Sequence, residues 1–172
     1  MSLKKGEKKT IQLTDGTKVV LNSDTRLHIP SNFNKEERVI EMEGEGFFDV
    51  TPNPDKPFII KSGETQVRVL GTSFDFKSYK EDEFIKLTVS TGKVRINVAD
   101  QDLQLSVSPN EHLSINKVDG NVRKETIREN NYIKWMQGSL YLIRSRYGKF
   151  SKRSTAPITG RLFYNAGSAI TL

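Results

Sequence analysis

Apolar residues recur at every second position, in short runs, from Thr10 to about Thr126. Ile11 and Leu13, then Val19 and Leu21, flank Thr14-Asp15-Gly16. An Asp-Gly pair between two alternating runs predicts a hairpin, because Gly accepts the positive φ that such turns require. Leu27 and Ile29 alternate before Pro30, and Ser31 to Glu37 is polar and turn-like. From Val39 to Val50, Ile40 and Met42 share one face, with Glu41, Glu43 and Glu45 on the other. Phe47, Phe48 and Val50 predict a further short strand past two glycines. Thr51 to Pro57 holds three prolines and reads as a loop. Phe58 to Ile60 is a short apolar strand, and Gly63-Glu64 turns into Thr65, Val67 and Val69. Phe74 and Phe76 alternate after Gly71, and Tyr79 to Glu83 is a charged loop. Ile85-Leu87-Val89, Val94-Ile96-Val98 and Leu103-Leu105-Val107 are three more strands, with Gly92 between the first two. Pro109-Asn110 turns, Leu113 and Ile115 alternate, Asp119-Gly120 turns again, and Val122 to Ile127 closes the series.

Turn signals about every 8–12 residues predict an all-β domain of about ten to twelve short strands. No helix-length apolar period precedes Arg128, which excludes the parallel α/β architectures and their dinucleotide and P-loop sites. Glu129 to Gln137 predicts a short C-terminal helix, with Tyr132, Ile133, Trp135 and Met136 on its apolar side. The expected division is a β domain over 1–127, a linker over 128–140, and an atypical tail over 141–172.

The 172-residue chain has no cysteine, so disulfides and thiolate metal sites are excluded. It has no run of about 18 apolar residues, and MSLKKGEKK lacks the apolar stretch of a signal peptide. The net charge of +6 resides entirely in the tail. Residues 141–172 carry Arg144, Arg146, Lys149, Lys152, Arg153 and Arg161 with no acid, whereas residues 1–140 hold 21 basic and 21 acidic residues. A neutral body argues against nucleic-acid binding, which needs a basic patch on the folded scaffold.

Candidate chemistry is sparse. Glu41, Glu43 and Glu45 alternate along one strand, about 6.5–7 Å apart, within reach of paired glycosidase acids. Such pairs normally come from different strands around a cleft, so a solvated face is the simpler reading. His28 and His112 lack any metal-ligand spacing, and Asp100, Asp102 and Asp119 fall in turns without a calcium-loop pattern. The EGEGFF glycines lack the helix of a phosphate loop, and Ser73 and Ser90 lack a nucleophile turn. Phe47, Phe48, Phe58, Phe74 and Phe76 read as core. A carbohydrate platform would instead expose Trp and Tyr, and the chain's one Trp, Trp135, lies beyond the strands.

Five stretches in order resemble the FecR protein family. They are Lys8 to Phe33, with its Asp15-Gly16 turn; Glu37 to Val50, with Gly44 and Phe48; Lys56 to Tyr79, with Pro57, Phe58 and the signature Leu70-Gly71-Thr72-Ser73-Phe74; Leu87 to Val98, with Gly92; and Ser108 to Glu111. Trp135 stands where the family often has a Trp. Gly46 for the usual Ala, and Ser90-Thr91 for an acid before Gly92, are mild departures. The closest likeness is to the Bacteroidetes-type versions.

The resemblance implies a two-sided stack of short strands, solenoid-like or sandwich-like, with no active site, no cofactor, no metal and no small-molecule substrate. It implies a periplasmic signal-relay domain of an anti-sigma factor, a transmembrane sensor tethered to the inner membrane by a helix upstream of this chain. Its implied partners are the periplasmic signalling domain of a TonB-dependent outer-membrane transporter and, through a cytoplasmic segment absent here, an extracytoplasmic-function sigma factor. A secreted carbohydrate-binding or adhesin module is the alternative.

The family follows its Trp with an acidic amphipathic helix, unlike the tail here. Read from the third base of the Tyr141 codon with permitted synonymous codons, Tyr141 to Ser154 can give FDQEPLWEVFKKI, which carries apolar residues at helical spacing. A frameshift near Tyr141 is therefore expected; a functional basic tail is the other reading.

Overall fold

The computed structural model describes residues 1–99, 103–127 and 135–136, all within the unit Met1–Tyr141. The helix expected over 129–137 lies outside them except for Trp135 and Met136, which form a short 3-10 turn. The tail and the expected frameshift also lie outside them. No helix of the described residues is long and apolar enough to cross a membrane.

Twelve strands are described: β1 (Lys9–Gln12), β2 (Lys18–Leu21), β3 (Arg26–His28), β4 (Arg38–Asp49), β5 (Phe58–Ser62), β6 (Thr65–Val69), β7 (Ser73–Ser78), β8 (Phe84–Thr91), β9 (Val94–Val98), β10 (Leu103–Val107), β11 (Glu111–Asn116) and β12 (Val122–Thr126). They form one curled sheet with a central path β10-β9-β6-β5-β4-β7-β8-β11-β12. The expected all-β body is therefore present.

The two segments read as separate around Gly44 and Gly46 are one strand of 12 residues. Its first half pairs with β3 and, in parallel, with β5. Its second half pairs with β2 and β7. β4 thus belongs to two layers. The first holds β3, β5, β6, β9 and β10; the second holds β1, β2, β7, β8, β11 and β12. After β4 the hairpins β5–β6, β7–β8, β9–β10 and β11–β12 alternate between the layers. The chain winds as a solenoid does, and its layers pack as a sandwich does.

Between the layers lies one apolar core. Phe48, Phe58 and Phe74 are fully buried, as are Ile40, Ile60, Val67, Leu87, Val89, Val94 and Ile115. Phe48 stacks on Phe74 with ring centroids 5.3 Å apart and tilts against Phe58 at 6.3 Å, joining the two layers. Such contacts add about 0.5–1.5 kcal/mol beyond the area they bury.

The pivot of β4 is Gly44, at φ 130°. A Cβ there would lie 2.5–2.8 Å from the Oγ1, Cα and Cβ of Thr25. The Thr25 hydroxyl donates to the Glu45 carbonyl and accepts from the Glu45 N–H, both at 3.1 Å. Backbone and side chain meet there so closely that only glycine fits.

Gly71 tells a different story. Its place between two strand-period runs invites a positive φ, but the φ lies outside the left-handed region, and what requires glycine is close approach: a Cβ would sit 2.6 Å from Pro52 Cα. Gly71→Val is therefore expected to cost about 1–3 kcal/mol through overpacking. The urea midpoint should fall with the slope unchanged; an unchanged midpoint would refute the close-approach reading.

Candidate functional site

Three of the signature segments meet, around Asp15-Gly16, Gly71-Thr72 and Gly92. Asp15 accepts the Thr17 N–H at 3.0 Å and the Thr17 hydroxyl at 2.8 Å, closing the turn in which Gly16 sits at φ 86°. Thr17 Oγ1 in turn accepts the Thr51 N–H at 3.2 Å, tying that turn to the loop after β4. Val50 N–H donates to the Thr72 carbonyl at 3.0 Å, and Asn53 N–H donates to the Leu70 carbonyl at 2.7 Å. The Thr72 hydroxyl donates to the Lys93 carbonyl at 3.1 Å. Gly92, at φ 77°, lies under Thr72 and the Gly71 carbonyl, where a Cβ would come within 2.6–2.8 Å. Chain segments far apart in sequence thus knot into one backbone-bonded cap. Pro57 leads into β5 half-buried, and Leu70 is 47% exposed, so its contribution is its backbone.

At the centre of this cap lies Arg38, which the sequence reading did not single out. It is 1% exposed and pairs with Asp15, 5% exposed, at 3.1 Å. Its Nε donates to the Lys56 carbonyl at 2.7 Å, and its other nitrogens donate to Thr51 O at 2.8 Å and Asn53 O at 3.3 Å. Its guanidinium carbon stands 5.8 Å from the Phe58 ring centroid. One planar fork thereby satisfies a buried carboxylate and three loop carbonyls. The sequence did carry a signal. Arg38 is in phase with Ile40 and Met42, so it occupies an inward position of its strand.

The candidate catalytic groups are not assembled. Glu41 stands exposed opposite His28, itself exposed, and Glu43 meets Arg26 at 3.5 Å with side chains 42% and 72% exposed. Glu45 accepts from Asn22 Nδ2 at 2.7 Å. The carboxylates therefore line an outer strand surface. His112 is on β11 in the other layer, its Nδ1 2.7 Å from Thr88 Oγ1, and burial lowers its pKa. Ser73 donates to Asp49 at 2.7 Å, with no histidine beside it among its described hydrogen bonds. Asp119 accepts from Asn121 within its turn, whereas Asp100 and Asp102 lie outside the described residues. Among the described residues no three His, Asp or Glu side chains gather to hold a metal.

Two grooves remain. One, of about 440 Å³, is lined by Glu43, Glu64, Ser78, Lys80, Ile85 and Lys117 among others. The other, of about 600 Å³, is lined by Met1, Arg26, His28, Glu41 and Lys61 among others. Both are of mixed charge. Among the described aromatic residues Tyr79, Phe84 and Trp135 are half-buried and the others buried.

A different polar residue was missed altogether. Asp75 lies between Phe74 and Phe76 but points to the opposite face of β7, where it is buried. Burial, reinforced by the charge of Glu45, pushes its pKa well above the ordinary carboxylate range, against smaller opposing effects of a hydrogen bond from Trp135 and the charge of Lys77. Alternation with two core phenylalanines marks Asp75 as outward, and no local pattern reveals that the outer face is covered there.

The cap and the curled sheet define an all-β architecture whose signature residues build turns and crossings. Residues 1–95 match the family described as FecR protein, and the chain belongs to that family. Two crystal structures of a candidate anti-sigma factor from Parabacteroides distasonis are similar to it, each with 38% identity over 82% of this chain and a TM-score of 0.75. The matched region makes up 66% and 65% of those chains, so this chain spans just under two thirds of their length. No curated protein matches it.

Proposed function

We propose that this chain is the β domain of a FecR-type anti-sigma factor and serves signal relay, not catalysis. The observation that carries this reading is the 38% identity, over 82% of the chain, to the candidate anti-sigma factor. In this reading the β domain stands in the periplasm of the full-length protein, tethered to the inner membrane. It senses the state of a TonB-dependent transporter through that transporter's periplasmic signalling domain and controls an extracytoplasmic-function sigma factor from a separate cytoplasmic segment. The dispersed carboxylates and the mixed-charge grooves are compatible with a role in contact. The genomic neighbourhood should hold a sigma-factor gene and a TonB-dependent receptor gene, and deleting the full-length gene should change transcription from that sigma factor's promoters. Unrelated neighbours together with unchanged transcription would overturn the reading.

The division into 1–127, 128–140 and a frame-shifted 141–172 belongs to the same proposal. It is supported by the confinement of all excess charge to the tail. The coding DNA decides it: the shifted frame should encode the acidic amphipathic helix, and a stop codon within the first ten shifted triplets would refute it.

A further inference from the structure

The outer face of the first layer is charge-matched over part of its width. Glu43 meets Arg26 at 3.5 Å, and Glu41 stands between His28 and Lys61 in the strand register. One step along the strands the match ends. Register places Val39, Ile59, Arg68, Arg95 and Ser106 side by side on β4, β5, β6, β9 and β10. This row sets two cations directly opposite each other and contains no acid.

Like charges directly opposite on neighbouring strands weaken a sheet. Among the described strands there are two such pairs. In one, Lys77 with Lys86, Lys77 is answered by Asp82 at 2.9 Å and by Glu45 opposite it on β4. In the other, Arg68 with Arg95, both side chains are exposed and neither has an acidic partner among the described residues. Alternation brings Leu70, two positions after Arg68, and Lys93, two positions before Arg95, toward the same face just beyond the strand ends. Lys93 is exposed, Leu70 is 47% exposed, and Val39 and Ile59 are half-buried. The patch is cationic with an aliphatic border.

We propose that this patch, centred on Arg68 and Arg95, receives an acidic, extended segment of a partner protein that carries an aliphatic side chain beside its carboxylates. Planar guanidinium forks match carboxylates bidentately. Opposed Cα atoms of neighbouring strands lie about 4.5–5.5 Å apart, and alternate side chains of an extended segment about 6.5–7 Å apart. The two long arginines therefore reach one carboxylate together or two in succession. Leu70 and Ile59 supply an apolar contact that a small free anion would not use. A membrane surface fits less well, because lipid-binding patches gather about 4–8 basic residues, whereas this one has three on a neutral body of 21 basic and 21 acidic residues over 1–140. A bound carboxylate would remove the repulsion that the free sheet carries. The inference goes beyond the relay reading and does not depend on it, since binding tests it and transcription does not.

The probe is a fluorescently labelled peptide of glutamates flanking one leucine, titrated with the full 172-residue chain and followed by anisotropy. The expected result is binding that the glutamine version of the peptide lacks. Arg68→Glu/Arg95→Glu should weaken it by about tenfold or more. Arg144→Glu/Arg146→Glu, in the basic tail, should lose less than the patch variant. Arg68→Glu alone should also weaken binding, yet raise the urea midpoint, because it sets opposite charges face to face. No binding by the wild type, equal affinity in the patch variant, a loss confined to the tail variant, or a lowered midpoint in Arg68→Glu would overturn the proposal. So would binding to phosphatidylserine vesicles without binding to the peptide.

Discussion

Replacing Arg38 by methionine is expected to lower stability by about 3–5 kcal/mol, the usual result of removing one partner from a buried ion pair. The substitution strands Asp15, which is 5% exposed, and leaves the carbonyls of Thr51, Asn53 and Lys56 without their donor. Each orphaned buried acceptor adds about 1–3 kcal/mol to the demand on the fold, although the loop can relax toward water. For a domain stable by about 5–15 kcal/mol the change takes away a large share. Urea unfolding followed by far-UV circular dichroism measures it. The double variant Arg38→Met/Asp15→Asn should recover part of the loss, because it removes the stranded charge but not the unmet carbonyls. A midpoint in Arg38→Met close to wild type would show that the cap stands without the clamp.

Gly44→Ala should be nearly as damaging. The backbone there, at φ 130°, lies where L-residues rarely go, a strain of about 1–3 kcal/mol. The added methyl would also press within 2.5–2.8 Å of Thr25, and overpacking of this kind costs about 1–3 kcal/mol more. Gly63→Ala is the matched control. It too has positive φ, 55°, but open space around it, so its loss should stay near the left-handed penalty of about 1–2 kcal/mol. If the two variants melt alike, crowding by Thr25 is irrelevant and the pivot is tolerant.

Both residues show what a sequence can convey. The strands from Lys9 to Thr126 were legible because period-two alternation is a local property: each strand buries one face, and successive side chains alternate. The Asp15-Gly16 and Gly63-Glu64 turns were legible for the same reason, since left-handed backbone selects glycine within a few residues. The signature motifs were legible as family markers. That Asp15, Thr72 and Gly92 meet in one cap was not, because their partners lie in other segments.

Alternation says which face of a strand is buried but not which strand lies beside it. Gly92 stands between two clear strands and invites a hairpin, yet β8 pairs with β7 and β11 while β9 pairs with β6 and β10. The turn there carries the chain from one layer to the other. Likewise β4 reads as two pieces, because glycines interrupt its apolar pattern. Pairing with different partners on its two halves makes it one strand. The sequence by itself determined the all-β class, the positions of most strands and the family. Tertiary structure decided the alternation between layers, the burial of Arg38 with Asp15, and the cover over Asp75. Each of these depends on long-range pairing and on burial of a second face, neither of which leaves a periodic trace along the chain.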